Sequence, residues 1–341
     1  MAYSNPLISV ITPTYNHEKF IADCIESVLG QSFQNWEMII VDDGSTDSTA
    51  QIVARYSQED PRIHLISQSN TGIFRLAETY NKALRMAKGK YIAILEGDDY
   101  WLPHKLDIQF NTMETNANAV LCWSRAASRL NHENHTYQVH PINIASNKQY
   151  YNNSPVGSIF NVIFDDFLPP LTYFIRKESL DKIGGFSQVL PFPAVDLSTL
   201  LAISLQGQFV FIDEILGTWR LNPNQATKTY INEIVEGSHK IILSHYKQVE
   251  KLPLTLKFDH KFIANNYRRR KIISHARSGR FMLIRKKFKD ARREYIKAIV
   301  GGGFKEPMWK IRAMVGFVFS LFHCNVEGFA RLLGKKYYSP E

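Results

Sequence analysis

Through its first third the chain alternates short apolar runs with stretches in which apolar residues recur every three or four positions. Leu7–Thr12, Glu37–Val41, Ile63–Ser67 and Tyr91–Leu95 read as strands, and runs apolar on both faces suit a buried parallel sheet. Between them, Phe20, Ile21, Cys24, Ile25, Val28 and Leu29 keep helical spacing over Lys19–Leu29. A short helix follows over Ser48–Tyr56, with Asp47 or Ser48 placed to cap it. A longer one runs to about Lys88, with Gly89 expected as its C-cap. Strands alternating with helices predict a parallel sheet joined by right-handed crossovers. Pro103 opens the next helix and Ala119–Ser124 forms a further strand, but residues 125–170 show no clear period. Order returns with a strand at Leu171–Arg176, a helix over Lys177–Ile183, and Gly184-Gly-Phe186. An amphipathic helix then runs from Asp196 to Leu205, followed by strands at Phe209–Ile212 and Leu216–Arg220. From Tyr230 onward the pattern is mainly helical, with a break expected at Gly301-Gly-Gly303. The expected fold is α/β, a Rossmann-like, mostly parallel sheet flanked by helices, over residues 1–225. A helical region over residues 226–341 follows.

Charge sharpens this division. Residues 261–341 hold 20 Lys/Arg against 5 Asp/Glu, a net of +15, so residues 1–260 carry 21 against 27, a net of −6. A basic tail on an acidic body implies a second task at an anionic surface. Cys24, Cys122 and Cys324 are odd in number and far apart, which fits neither a disulfide framework nor a zinc site and points to a reducing compartment. The first residues lack the basic and apolar regions of a signal peptide, and no apolar run approaches the ~20 residues of a membrane span. Met314–Phe322 is too short to span. The expected location is the cytoplasm.

The chemistry gathers where Tyr91–Leu95 ends. Three carboxylates, Glu96, Asp98 and Asp99, surround Gly97 at the carboxyl end of a strand, where open α/β sheets bind ligands. Such a cluster repels itself unless a cation or protons neutralise it. Glu96 and Asp98 project from one side of the chain and suit a hard cation shared with phosphate oxygens. The plainer alternative is an acidic turn after a strand.

Four segments occur together in order: Ser9-Val-Ile-Thr-Pro-Thr-Tyr-Asn16, Ile39-Ile-Val-Asp-Asp-Gly-Ser-Thr-Asp47, Asn70-Thr-Gly72 and Leu95-Glu-Gly-Asp-Asp99. The ordered set resembles glycosyltransferase family 2, enzymes with the nucleotide-diphospho-sugar transferase (GT-A) fold. The resemblance implies that a nucleotide-sugar, UDP- or GDP-linked, lies over Pro13, Tyr15 and Asp43, with Asp43 on the base and Arg75 near the donor. Asp98 matches the last position of the family's Asp-x-Asp metal motif, whose first position is Glu96 here, for Mg²⁺ or Mn²⁺. Asp196, after Gly184-Gly-Phe186, matches the general base, although the preceding position is Val195 rather than Glu. Trp219-Arg220 matches a Tyr-Arg-x-His segment that closes the site, with Asn222 in place of His and Arg220 facing the donor. Each residue also has a plain structural use: an Asx-turn for Asp43, a solvated helix face for Arg75, a helix cap for Asp196.

The function implied is metal-dependent, inverting transfer of one sugar to an acceptor hydroxyl in cell-surface glycan or glycolipid synthesis. The absence of a Gln-x-x-Arg-Trp signature and of spanning helices favours single transfer over polymer extrusion. Two rivals stand beside it. A sugar nucleotidyltransferase needs a Gly-rich, basic loop after the first strand, which Pro13-Thr-Tyr-Asn16 does not supply. A non-catalytic sugar-nucleotide or membrane-binding module would not need Asp43, Asp98 and Asp196 together. In the tail, Arg268-Arg-Arg-Lys271 and Arg285-Lys-Lys-Phe-Lys289 alternate with apolar residues, and Met314–Phe322 and Leu332-Leu333 add apolar surface. Two readings remain open: a peripheral contact with an anionic membrane face near a lipid-linked acceptor, or a solvated bundle packed on the body. No recognised module supports nucleic-acid binding.

Overall fold

A computed structural model describes residues 5–130, 136–152, 155–222 and 225–324. The chain forms two compact units. The first comprises Met1–Gln188, Ala194–Leu221 and His245–Leu256; the second comprises Val189–Pro193, Asn222–Ser244 and Lys257–Glu341.

Nine strands among the described residues of the first unit form one sheet: β1 (Ile8–Thr14), β2 (Trp36–Asp42), β3 (Ile63–Ser67), β4 (Tyr91–Ile94), β5 (Tyr100–Trp101), β6 (Ala119–Leu130), β7 (Thr136–His140), β8 (Phe174–Arg176) and β9 (Gln208–Leu221). Their order is β3-β2-β1-β4-β8-β6-β9-β5, with β7 beside β6. The β3-β2-β1-β4 half is parallel, as are β6 and β9, whereas β8 runs antiparallel to both neighbours. The helices of this unit are α1 (Ile21–Leu29), α2 (Thr49–Glu59), α3 (Leu76–Met86), α4 (Lys105–Thr115), α5 (Ile144–Asn147), α6 (Lys177–Lys182) and α7 (Asp196–Ile203).

The apolar runs are buried on both faces, as their composition requires. Val10, Met38, Ile40 and Ala93 point into one core, while Ile11, Ile39, Val41, Ile92 and Ile94 point into the other. The two late strands expected at 209–212 and 216–220 are one continuous β9. Its exposed Asp213–Ile215 segment is accommodated by register shifts against β6 around Arg125. Residues 125–170 hide the rest of β6 and all of β7. In β6 the buried Ala126-Ala-Ser128 are small or polar and stand between Arg125 and Arg129, and β7 is partly exposed, so neither shows the apolar run of a buried strand.

Gly89 does not cap a helix. α3 ends at Met86, and Gly89 lies against β1, where a Cβ would meet the Ser9 nitrogen at 2.5 Å. Ser48, the N-cap of α2, makes no side-chain capping bond; Asp47, one residue earlier, accepts from Thr49 N at 3.0 Å through its Oδ1.

Among the described residues one Lys lies wholly inside. Lys105 is fully buried, its Nζ donating to Gln109 Oε1 at 2.5 Å and lying 3.9 Å from the Trp101 ring centroid. Burial lowers its pKa from the ordinary 10.5 to about 7. The folded state therefore holds fewer protons than the unfolded chain between about pH 7 and 10.5, and stability rises with pH across that window. Lys105→Met is expected to flatten this rise and to raise the denaturation midpoint at pH 7, a gain of up to about 4 kcal/mol. Parallel stability–pH curves for the two proteins would refute it.

The second unit is helical: α8 (Ala226–Thr229), α9 (Ile231–Val249, shared by sequence with the first unit), α10 (His260–Ile284), α11 (Phe288–Val300) and α12 (Pro307–Leu321). Asp259 caps α10 by accepting from Phe262 N at 2.7 Å. The expected glycine break separates α11 from α12. Tyr295 of α11 fits between Gly279 of α10 and Gly316 of α12, where a Cβ would come within 2.6 Å and 2.3 Å of its ring. Leu332-Leu333 lie outside the described residues.

Candidate active site

Parallel register brings three strand ends to one edge. Thr14 pairs with Asp42, Asp43 N donates to Thr14 O at 2.9 Å, and Gly97 N donates to Pro13 O at 3.1 Å. Pro13, Tyr15, Asp43 and the Glu96–Asp99 loop therefore share the carboxyl edge of the sheet. Gly97 presses this loop against the end of β1: a Cβ there would stand 2.6 Å from Thr14 Oγ1 and 2.8 Å from His17 Nδ1. Tyr15 is 44% exposed beyond β1.

Asp42 and Asp43 divide their work. Asp42 accepts from the Ser45 backbone N–H and hydroxyl, forming the local turn. Asp43 organises the distant Asn70-Thr-Gly72 segment. Its Oδ1 accepts from Gln68 Nε2 at 2.7 Å, Thr71 N at 3.0 Å and Thr71 Oγ1 at 2.9 Å, and its Oδ2 takes one long bond, 3.3 Å, from Gly72 N. Arg75 stands on the exposed start of α3 in a 2.7 Å ion pair with Glu78. Its pKa is raised chiefly by Glu78, with a smaller push from Asp43, which locates the two in one neighbourhood.

The three loop carboxylates face different partners. Glu96 Oε1 accepts from the Tyr80 hydroxyl at 2.8 Å. Burial, with Asp98 and Asp196 adding repulsion, pushes the Glu96 pKa up to about 7 against the pull of that hydrogen bond. Asp99 is buried and accepts from Arg220 N at 2.8 Å; burial, then the charges of Asp98 and Glu96, raise its pKa. Asp99 thus ties the loop to β9. Asp98 is partly exposed, and its carbonyl accepts from Arg220 Nη1 at 3.2 Å. Arg220 also pairs with Asp23 at 2.5 Å and lies over the rings of Tyr100 and Phe20.

Asp196 begins α7 but its Oδ1 makes no hydrogen bond although it is buried. Burial raises its pKa, opposed by the N–H groups of Leu197 and of Asp196 itself. The carboxyl lines a small cavity with Tyr80, Pro170, Tyr173, Phe186 and Val195. Its charge reaches Glu96, Tyr80 and Tyr173, so Asp196 and the Glu96 loop form one electrostatic cluster although a hundred residues separate them.

The structure brings Glu96, Asp98, Asp99, Asp196 and Arg220 together, with Asp43, Pro13 and Tyr15 on the adjoining strand ends. Sequence reasoning missed Tyr80 and Asp23. Tyr80 reads as an apolar core position of α3, and only its hydroxyl reaches the loop; Asp23 reads as a solvated charge. Glu96 and Asp98, two positions apart on one loop, with the Glu96 pKa raised by burial and then by the charges of Asp98 and Asp196, suit a hard divalent cation completed by substrate oxygens. No group of three His, Cys, Asp or Glu side chains among the described residues is arranged to hold a metal by itself.

A mostly parallel sheet with acidic loops at its carboxyl edge is the architecture of the nucleotide-diphospho-sugar transferases, and solved structures bear this out. TarS 1–349 of S. aureus, in complex with UDP-GlcNAc, superposes with a TM-score of 0.57 at 16% identity, covering 97% of this chain and 93% of that one. Mannosyltransferase PcManGT from Pyrobaculum calidifontis, in complex with GDP-Man and Mn²⁺, gives 0.54 at 15% identity over 93% and 88%. Residues 9–168 match the family model "Glycosyl transferase family 2". The putative teichuronic acid biosynthesis glycosyltransferase TuaG of Bacillus subtilis is 49% identical over 109 residues, 32% of this chain and 42% of TuaG. The UDP-Glc:alpha-D-GlcNAc-diphosphoundecaprenol beta-1,3-glucosyltransferase WfgD of Escherichia coli is 35% identical over 173 residues, 50% of this chain and 66% of WfgD. The match therefore spans less than half the length of TuaG and two-thirds or less of WfgD. Residues 9–168 therefore carry a glycosyltransferase family 2 domain, and the chain has the GT-A fold.

Proposed function

We propose that the protein transfers one sugar from a UDP- or GDP-linked donor to a hydroxyl of a glycan or lipid-linked acceptor in cell-surface polysaccharide synthesis, with inversion. The observation that carries this reading is the buried, unpartnered Oδ1 of Asp196 beside the Glu96–Asp99 loop. A proton acceptor with a raised pKa and a vacant oxygen is suited to general-base catalysis. The names of TuaG and WfgD support the substrate class, and the ligands named with TarS and PcManGT support a nucleotide-sugar donor.

In this reading Asp43 Oδ2, which spends only a long bond on Gly72, accepts an N–H of the base while Tyr15 packs on its ring. Pro13 and Arg75 border the donor. Asp98 and Glu96 would hold Mg²⁺ or Mn²⁺, which neutralises charge on the departing diphosphate. Arg220 holds the loop from behind by its contacts to Asp98 and Asp99, and so fixes the carboxylates that face the donor. Asp196 takes the acceptor's proton as its oxygen attacks the anomeric carbon from the side opposite the leaving group, which inverts that centre.

The test is a panel of nucleotide-sugars with and without Mn²⁺, monitored for release of the nucleoside diphosphate. Mn²⁺-dependent turnover of one donor, increased by an acceptor, is expected. Failure to bind any UDP- or GDP-sugar would overturn the reading.

A further inference from the structure

The last described helix, α12, has two unlike faces. Ala313, Gly316 and Ser320 are buried in the second unit, and Gly316 lets the helix sit directly on the Tyr295 ring. The opposite face carries Ile311, Met314, Val315, Val318, Leu321 and, one residue past the helix, Phe322, each between 43% and 74% exposed. At 100° per residue these positions form one unbroken stripe, with Lys310 and Arg312 at its two edges. Residues 307–324 contain no Asp or Glu. Phe304, fully exposed, lies in the turn that enters the helix.

A stripe of large apolar side chains with this exposure is not an ordinary soluble surface. Its tight packing on the other side shows that the helix is not simply misplaced core. Charge narrows the choice of occupant. The stripe belongs to a region of net +15 over residues 261–341. A second copy of the chain would bring the same positive charge to its partner. Nucleic acid would match the charge but leave the apolar residues in water. An anionic lipid surface matches both, with acyl chains for the stripe and headgroups for the flanking cations. Among the described residues no helix is long and apolar enough to cross a membrane, and α12, 15 residues long, has the length and the one-sided polarity to lie in the interface.

We infer that α12 is a membrane-docking helix, which lies in the plane of an anionic bilayer with Ile311, Met314, Val318 and Phe322 in the acyl region. The inference concerns the second unit alone and does not depend on the proposed transfer reaction.

The test uses the full chain and sedimentation with two kinds of vesicle, phosphatidylcholine alone and phosphatidylcholine mixed with phosphatidylglycerol. Binding to the mixed vesicles is expected to exceed binding to the neutral ones and to fall as salt rises. Met314→Glu with Val318→Glu, both exposed, is expected to lower partitioning by about 100-fold without changing the melting temperature. Equal binding by wild type and double variant would overturn the inference, as would equal binding to the two vesicle types. Loss of melting temperature in the double variant would show that the face is covered within the chain, and a dimer in light scattering that the variant abolishes would show a second copy there. Either result would overturn it too.

Discussion

Asp196→Asn is expected to lower turnover by ~10²–10⁴-fold, the usual contribution of a positioned general base, while donor affinity barely changes. The substitution keeps size and the capacity to accept hydrogen bonds at a helix start, where Asn and Asp serve alike. A merely structural Asp196 therefore predicts near-normal turnover, so steady-state kinetics with calorimetric donor binding separate the two roles. The structure sharpens the contrast, because Oδ1 is buried without a partner and no hydrogen bond is lost there. Near-normal turnover would move the search for the base to Asp165 and to Asp166. The Asp166 carboxylate accepts from Ile142 N at 2.7 Å, Asn143 N at 3.0 Å and the Tyr151 hydroxyl at 2.9 Å.

Asp98→Asn is expected to abolish the Mn²⁺-dependent part of nucleoside diphosphate binding. Changes to groups that only support a metal ligand cost about 10–100-fold in affinity, and a direct ligand should cost more. The side chain is partly exposed on a loop, and the substitution leaves in place the loop's bonds through the Asp98 carbonyl, the Asp99 carboxylate and Gly97 N, so the fold should persist. Titration calorimetry with and without Mn²⁺ tests this; unchanged affinity would remove Asp98 from the ligand set. Glu96→Asp should be tolerated far better than Glu96→Ala, since only the latter removes the charge and the acceptor of the Tyr80 hydroxyl.

Where burial imposes a simple period, the chain could be read directly. The strands through Tyr91–Ile94 and the helices between them emerged because each has an apolar run or a helical stripe. Beyond residue 124 the period fails for physical reasons. Past residue 124 the buried positions of β6 are small or polar, β7 is partly exposed, and β9 carries an irregular, exposed segment that looks like a strand break. Gly89 shows the same limit at a single residue. A glycine after a helix suggests a cap, but what demands it is the Ser9 backbone, eighty positions earlier.

The sequence by itself determined the family motifs, their order, the parallel β3-β2-β1-β4 half of the sheet and the charge difference between body and tail. Those follow from local pattern, which needs no knowledge of distant neighbours. Only the tertiary structure decided which groups face one another. It put Asp196 within electrostatic reach of Glu96, gave the Tyr80 hydroxyl to that carboxylate, and turned Arg220 onto Asp23, Asp98 and Asp99. It also divided α12 into a face packed on Tyr295 and a face left in water. The reason is common to all four. A side chain's pKa, its partners and its exposure depend on the groups that packing brings near it, and packing joins residues that the chain keeps far apart.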